Sequence, residues 1–405
     1  MTRVHAFGDD VLGDLDAVGL VEAMAQGLSP VEVVDAALSR VQEVDGALNA
    51  VAHSAYDRAR AEARNPRPGY FAGVPTFLKD NVALSGVATT DGTDAWDPRP
   101  SKGDGDFARM YLATGMLALG TSRMSEYGFS AAADHVRLGP VRSPWSAGHY
   151  AGASSSGSAA LVAAGAVPIA HGNDGGGSIR IPAAVNGLVG LKPTRNRLAQ
   201  DKLMREMPVR IVADGVLTRT VRDTAAFYRE AEKVWRNPSL APVGDIRRPG
   251  RARLRIGVGT DGVGRSASPE VAALTREVAD QLAGLGHHVE EVAHPVPDQF
   301  ADHFLLYWSM LAWAMLATGR RAHGRSWDPS RLDNLTLGLA RHCRRNLPRL
   351  PAATLAMQRS RHLAAQHRQL DDLTLTPTLA LETPQVGWLR PDQPYEVILE
   401  RLLDW

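Results

Sequence analysis

A run of small residues from Gly152 to Ala183, GASSSGSAALVAAGAVPIAHGNDGGGSIRIPA, constrains this chain more than any other stretch. Its middle, Ser156 to Ala166, is rich in Ala and Gly. A helix built of such residues lets another backbone approach closely, so it suits packing directly against a sheet. Val167 to Ala170 then reads as the following strand. The run holds two serine clusters, Ser154-Ser155-Ser156 and Ser178, and the second follows Gly175, Gly176 and Gly177. Backbone N–H groups in a glycine turn are free to converge on one point, so a serine there has an oxyanion site beside it. Far upstream a lysine sits in an apolar, turn-flanked setting, Gly73-Val-Pro-Thr-Phe-Leu-Lys79-Asp-Asn. Serines plus one lysine, with no histidine required, are the parts of a Ser–Lys acyl-transfer site.

The rest of the chain reads as alternating helices and strands, the mark of an α/β protein. Residues 14–50 predict helix, with Ser29-Pro30-Val31-Glu32 as a capping box and Val34, Leu38 and Val41 at helical spacing. Gly73 to Leu78 predicts a buried strand, Phe107 to Leu112 a helix, and Met116 to Leu119 and Leu188 to Leu191 short apolar pieces. Residues 236–253, rich in Pro, Gly and Arg, predict a linker. After it, Leu254 to Val258, a helix capped by Ser268-Pro269-Glu270, and His288 to Val292 predict a βαβ unit. That helix carries Val271, Leu274, Val278 and Leu282 on one face. Residues 300–317 predict an aromatic-rich helix, and 341–370 an Arg-rich segment that is helical in its second half. The expected organisation is one domain over 1–405. It has a helical region near 1–65, a core near 66–235, the linker, and a βαβ-containing lobe over 254–405.

Composition removes several functions. Net charge is +1 across 405 residues, so no basic field points to nucleic acid, and the Arg-rich segment reads as a solvated helix face. One cysteine, Cys343, rules out an intrachain disulfide and fits a reducing compartment. The acidic N-terminus has no apolar signal-peptide core. The longest apolar run, Ala159 to Ala170, is shorter than the roughly 18–20 residues a bilayer span needs. A cytoplasmic protein with no membrane span is the expectation. No His-Glu-x-x-His motif and no paired cysteines suggest a metal. Gly257-Val-Gly259-Thr-Asp-Gly262 matches a dinucleotide pattern. The next helix starts several residues too late to receive phosphates, so this reads as a decoy. The G-x-S-x-G elbow is absent around both serines, and His171 reads as structural.

The stretch Gly152–Ala183 resembles the signature of the amidase signature family. It matches at both serines, at Asp174 and at Ser178-Ile179-Arg180-Ile181-Pro182. Gly73-Val-Pro-x-x-x-Lys79-Asp80-Asn81 resembles that family's lysine motif, and Gly187-Leu-Val-Gly190-Leu-Lys192-Pro193-Thr194 its downstream segment. The wording AHGNDGGGSIRIPA, GVLTRTVRDTAAFYREAE and LTPT is similar to that of actinobacterial, mycobacterial-type amidases. The resemblance implies an α/β fold with one large mixed sheet covered by helices on both faces. It also implies hydrolysis of a small carboxamide to carboxylate and ammonia or amine, with no cofactor and no metal. By it, Ser178 is the nucleophile, Ser154 the bridging serine after a cis Ala153–Ser154 bond, and Lys79 the base. A buried lysine loses its charge more easily, which this role requires. Gly175, Gly176, Gly177 and Ser178 would supply oxyanion N–H groups. Ser155, Asp174 and Arg180, with Asp80 and Asn81, would shape the surroundings.

Substrate walls are expected from residues 124–130, including Gly128 and Ser130, and from an aromatic helix carrying Phe304, Trp308 and Trp313. Homo-oligomer formation stays open. Two departures stand out. Ser143-Pro144-Trp145 replaces the family's asparagine–proline pair. The C-terminal part is also short. After Leu375-Thr-Pro-Thr378 the family's returning segment, rich in Phe, Asn, Gly and Pro, is missing, which would leave apolar sheet surface uncovered. Two alternatives remain at this point: the ammonia-producing subunit of a glutamine-dependent amidotransferase, and a non-catalytic binding protein.

Overall fold

Ser29 and Glu32 form both halves of the expected capping box in the computed structural model, which describes residues 3–262, 265–293, 299–367 and 371–405. Residues 14–50 make two helices, α1 (Ala17–Ala25) and α2 (Pro30–Leu48). The break is local: Gly27 takes φ +109°, and Ser29-Pro30 restarts the helix. Next come β1 (Val51–Ser54), α3 (Tyr56–Ala63), β2 (Pro75–Lys79), α4 (Asp106–Leu112) and β3 (Leu117–Ser122). They are followed by β4 (Arg142–Ser143), β5 (Ser146–Tyr150), α5 (Ser156–Ala163), β6 (Ile169–Asp174) and α6 (Arg180–Asn186). β7 (Val189–Gly190), α7 (Lys202–Arg205), β8 (Ala213–Thr218) and α8 (Val221–Val234) complete this part.

The chain divides into two compact units. The first holds Met1–Arg247 with Arg325–Asp333 and Pro384–Asp392, and the second holds the remaining segments. In the first unit, β1-β3-β2 and β6-β8-β7 form two three-stranded ladders. β2 runs parallel to β3 and β1 antiparallel to it, so the first ladder is mixed, while the β6–β8 and β7–β8 pairs make the second wholly antiparallel. Side chains join β2 to β6. Thr76 Oγ1 donates to Ile169 O (2.9 Å), and the Lys79 N–H donates to His171 Nδ1 (3.1 Å).

The small-residue helix behaves as its composition demands. All eight residues of α5 are buried. A Cβ on Gly157 would lie 2.2 Å from Ala50 O, so only glycine fits there. Ser158 Oγ donates to His171 O (2.6 Å) and meets Ser122 Oγ at 2.6 Å, fastening α5 to β6 and β3. β6 continues past the expected strand to Asp174, which carries Asn173 and Asp174 into the sheet. The odd triplet at 143–145 is absorbed locally: the Trp145 N–H meets Ser143 Oγ (3.3 Å), and its indole N–H meets Asn186 O (2.9 Å).

The second unit contains β9 (Arg255–Val258), α9 (Pro269–Gly284), β10 (His288–Glu291) and α10 (Gln299–His323). α11 (Asn334–Arg345), α12 (Leu350–His367), β11 (Leu373–Leu375) and α13 (Tyr395–Asp404) follow. Strands β10-β9-β11 pair in parallel, and β9-α9-β10 is the predicted βαβ unit. The helix face differs from expectation: α9 buries Ala272, Thr275 and Ala279, while Leu274 and Val278 are exposed. Small residues allow the close approach, and Val271 and Leu282 of the expected face are only half-buried. α9 begins at Pro269, well past Gly262, as the decoy reading requires. Phe300, Phe304 and Trp308 stack along α10 with ring centroids 6.1 and 5.4 Å apart. Cys343 is buried, and burial pushes its thiol up, which makes it inert. Of the Arg-rich segment, residues 368–370 lie outside the described residues. Among the described residues no helix is long and apolar enough to cross a membrane.

Candidate active site

β2 ends on Lys79, whose side chain is 1% exposed. Its backbone N–H is held by His171 Nδ1, so the neutral imidazole carries its proton on Nε2, which faces Asp214 Oδ1 at 3.2 Å. Phe107 packs on the His171 ring, with centroids 4.3 Å apart. His171 is therefore structural in a specific sense: it fixes the end of the strand that carries the lysine.

Lys79 Nζ reaches two groups, Ser154 Oγ at 2.6 Å and Asn173 Oδ1 at 2.7 Å. Burial pushes its pKa down to about 7, against the pull of Asp214, Asp174 and Asp91. Near neutral pH a large share of it is therefore an uncharged amine. Asn173 Nδ2 in turn donates to Asn81 Oδ1 (3.1 Å), which fixes the amide so that its oxygen faces the lysine. Sequence reasoning misses Asn173. The one available signal is a carboxamide immediately before Asp174.

Ser154 follows a cis peptide bond from Ala153 and is buried. Gly128 adopts φ +76°, and a Cβ there would sit 3.1 Å from Ser154 Oγ. Gly128→Ala should thus displace the serine. We expect turnover to fall about tenfold or more, since sub-ångström misplacement of reacting groups is costly. Strain at positive φ should add about 1–2 kcal/mol of destabilisation. Amide turnover measured beside thermal melting checks this; wild-type turnover in the variant would remove Gly128 from the site. Ser130 is engaged in the local turn. Its Oγ accepts the Ala132 N–H (3.2 Å), and its carbonyl accepts from Ser125 Oγ (2.9 Å).

The glycine loop after β6 is shaped by Asp174. Its fully buried carboxylate accepts the N–H groups of Gly177 (2.8 Å), Ile179 (3.2 Å) and Arg180 (3.3 Å). It also takes two guanidinium bonds from Arg180, both 2.9 Å. Burial works against this charge, but the Arg180 guanidinium and the N–H donors outweigh it and hold the carboxyl below its usual range. One expectation is corrected here. The Gly177 N–H is committed to Asp174, which leaves Gly175, Gly176 and Ser178 as candidate oxyanion donors. Ser178 keeps 8% of its surface exposed, and its carbonyl accepts the Ser155 N–H (3.3 Å), tying the two serine clusters together. Ser155 occupies the N-cap position of α5 without making a side-chain cap bond.

One further cluster has the look of a metal site. Glu126, His135 and Asp333 bring ligand-type atoms within 4.8 Å of one another. His135 Nδ1, however, accepts the N–H groups of Arg137 (3.2 Å) and Leu138 (3.0 Å). The neutral ring then holds its proton on Nε2, and neither nitrogen offers a lone pair to a cation. Asp333 donates its N–H to Glu126 Oε1 (2.9 Å); burial, then Glu126, pushes the Asp333 carboxyl well above its ordinary range.

A family model described as Amidase matches residues 32–405. A Mycobacterium leprae protein named "Putative amidase AmiC" is 55% identical over 407 residues, covering all of this chain and 87% of that protein. A solved structure of 6-aminohexanoate cyclic dimer hydrolase with substrate superposes with a TM-score of 0.83 at 30% identity, covering 93% of this chain and 81% of that one. A bacterial aryl acylamidase structure gives 0.79 at 28% identity, over 92% and 81%.

Proposed function

Since this chain belongs to the amidase signature family and is a hydrolase of that family, we propose that it cleaves a linear carboxamide through Ser178, Ser154 and Lys79. The single observation that carries the mechanism is Lys79 Nζ, buried, near neutrality and 2.6 Å from Ser154 Oγ. One N–H of the neutral amine goes to Asn173 Oδ1, which leaves the lone pair for the Ser154 hydroxyl.

Ser154 passes its proton to Lys79 and takes one from Ser178. Ser178 Oγ then adds to the amide carbonyl carbon. The negative charge moves to the carbonyl oxygen, beside the N–H groups of Gly175, Gly176 and Ser178. When the C–N bond breaks, the proton returns from Lys79 through Ser154 to the departing nitrogen, and ammonia or an amine leaves. Water repeats the addition on the Ser178 ester, and the relay takes and returns its proton. The carboxylic acid departs and Ser178 is restored. Names of the similar solved structures support testing both aryl and ε-amino acid amides.

The test is covalent. A fluorophosphonate should form one adduct, on the peptide carrying Ser178, and this labelling should slow as pH falls below about 7. Labelling at another serine instead sinks Ser178 as the nucleophile, and no labelling at all favours a non-catalytic binding role. Ammonia release from an anilide and from an aliphatic amide identifies the acyl preference.

A further inference from the structure

Next to the catalytic strand lies a separate cavity of about 220 Å³, lined within the first unit by Asp80, Asp94, Arg123, Met124, Leu138 and Val141 among others. Neither Ser154, Ser178 nor Lys79 lines it. It adjoins the site through Met124, whose Cε lies 3.8 Å from the Cβ position at Gly128, beside Ser154.

Arg123 is its unusual member. The residue follows β3, and its backbone is fixed at both ends, the N–H by Ala50 O (2.8 Å) and the carbonyl by the Gly157 N–H (2.9 Å). Nε donates to Val51 O (3.1 Å), which orients the guanidinium. Among the described residues, Nη1 and Nη2 then have no hydrogen-bond or ion-pair partner. Nearby carboxylates are otherwise engaged. Asp45 accepts the Ala50 and Val51 N–H groups (2.7 and 2.9 Å). Asp94 is gripped by Arg137 and Arg331, which overcome its burial and hold its carboxyl at about 2. Asp80 accepts from Thr90, and burial pushes it up to about 7, so it is a weak counter-charge. His53 Nε2 is buried without a hydrogen-bond partner and stands 3.9 Å from Asp80 Oδ1. Burial, then Arg123, lowers the His53 pKa and favours the neutral ring. The half-buried Arg123 at the wall of this cavity, its guanidinium oriented through Nε, has Nη donors to offer an anion.

We infer that this cavity binds a small carboxylate, its two oxygens on Nη1 and Nη2 of Arg123 and its short apolar body against Leu138 and Val141. A planar carboxylate matches the fork in a bidentate way. The volume admits a short-chain or aryl acid rather than a lone water. Two sources share this chemistry: the distal carboxylate of an amide substrate, and a free acid such as a hydrolysis product.

Calorimetric titration of the full chain with benzoate and with butyrate tests the site without turnover, so its outcome is independent of the hydrolysis proposal. Binding at or below about 1 mM is expected, with butyramide giving none at this site. Arg123→Gln should weaken the acid about tenfold or more. Ala133→Leu fills the cavity without touching a charge and should weaken it likewise, with thermal melting of each variant recorded alongside. Kinetics then separate the sources. If a substrate carboxylate is the occupant, Arg123→Gln raises KM for succinamate over that for butyramide about tenfold, and benzoate competes. If a free acid is the occupant, that ratio holds, and benzoate acts without competing. No binding of either acid, or binding that both variants leave unchanged, overturns the site.

Discussion

Ser178→Ala is expected to lower amide turnover by about 10⁴–10⁶-fold, the loss typical when a serine nucleophile that works as part of a unit is removed. The serines around it are otherwise engaged. Ser154 is held against Lys79 Nζ, Ser156 Oγ donates to Gly152 O, Ser158 bridges His171 and Ser122, and all are buried. The loop itself should persist, because Asp174 and Arg180 fix it and neither bonds the Ser178 side chain. Residual rate above water would come from the remaining N–H donors and from binding. Ammonia release measured at saturating substrate decides the matter. Activity above about one per cent of wild type would show that another group attacks the carbonyl.

Removing the lysine should also cost heavily, though less than removing the nucleophile. General acid–base groups contribute about 10²–10⁴-fold, and in the proposed relay one amine serves every proton transfer. Lys79→Met keeps most of the side-chain volume in a site with 1% exposure, so the loss would not be a packing artefact. The sign of the pH dependence follows from burial, which pushes Lys79 down to about 7. On the proposed mechanism the competent form is the free amine, populated above that pH. Wild-type kcat/KM should therefore rise tenfold per unit on the acid side and level off above about 7. Lys79→Met should lose that inflection. A wild-type profile in Lys79→Met would remove lysine from the relay.

Much of this arrangement is legible in the sequence because local chemistry dictates it. The capping box at Ser29 and Glu32 depends only on residues three apart, and the crowding of α5 follows from eight small side chains in succession. The pairing of Lys79 with Ser154 is readable only through resemblance, since no local rule joins residues 75 apart. What stays hidden depends on tertiary placement. Asn173 matters because Lys79 and Asn81 come to it from 94 and 92 residues away. Gly177 reads as a free donor because three glycines look alike until Asp174 claims one of them. The open fork of Arg123 has no sequence signature, because it is defined by carboxylates that turn elsewhere. The buried face of α9 departs in part from its hydrophobic pattern: Ala272, Thr275 and Ala279 are buried, Val271 and Leu282 are half-buried, and Leu274 and Val278 are exposed.

The buried helix α5 carries a consequence for how such chains are recognised. Its small residues answer to clearance: Gly157 to Ala50 O, Ser158 to the strand beneath it. A large part of the wording that stands out in this sequence is thus a record of steric tolerance around the reaction, not of the reaction. On the proposed mechanism, a gene that preserved every letter from Gly152 to Ala183 would still encode an inert protein once the codon for position 79 changed.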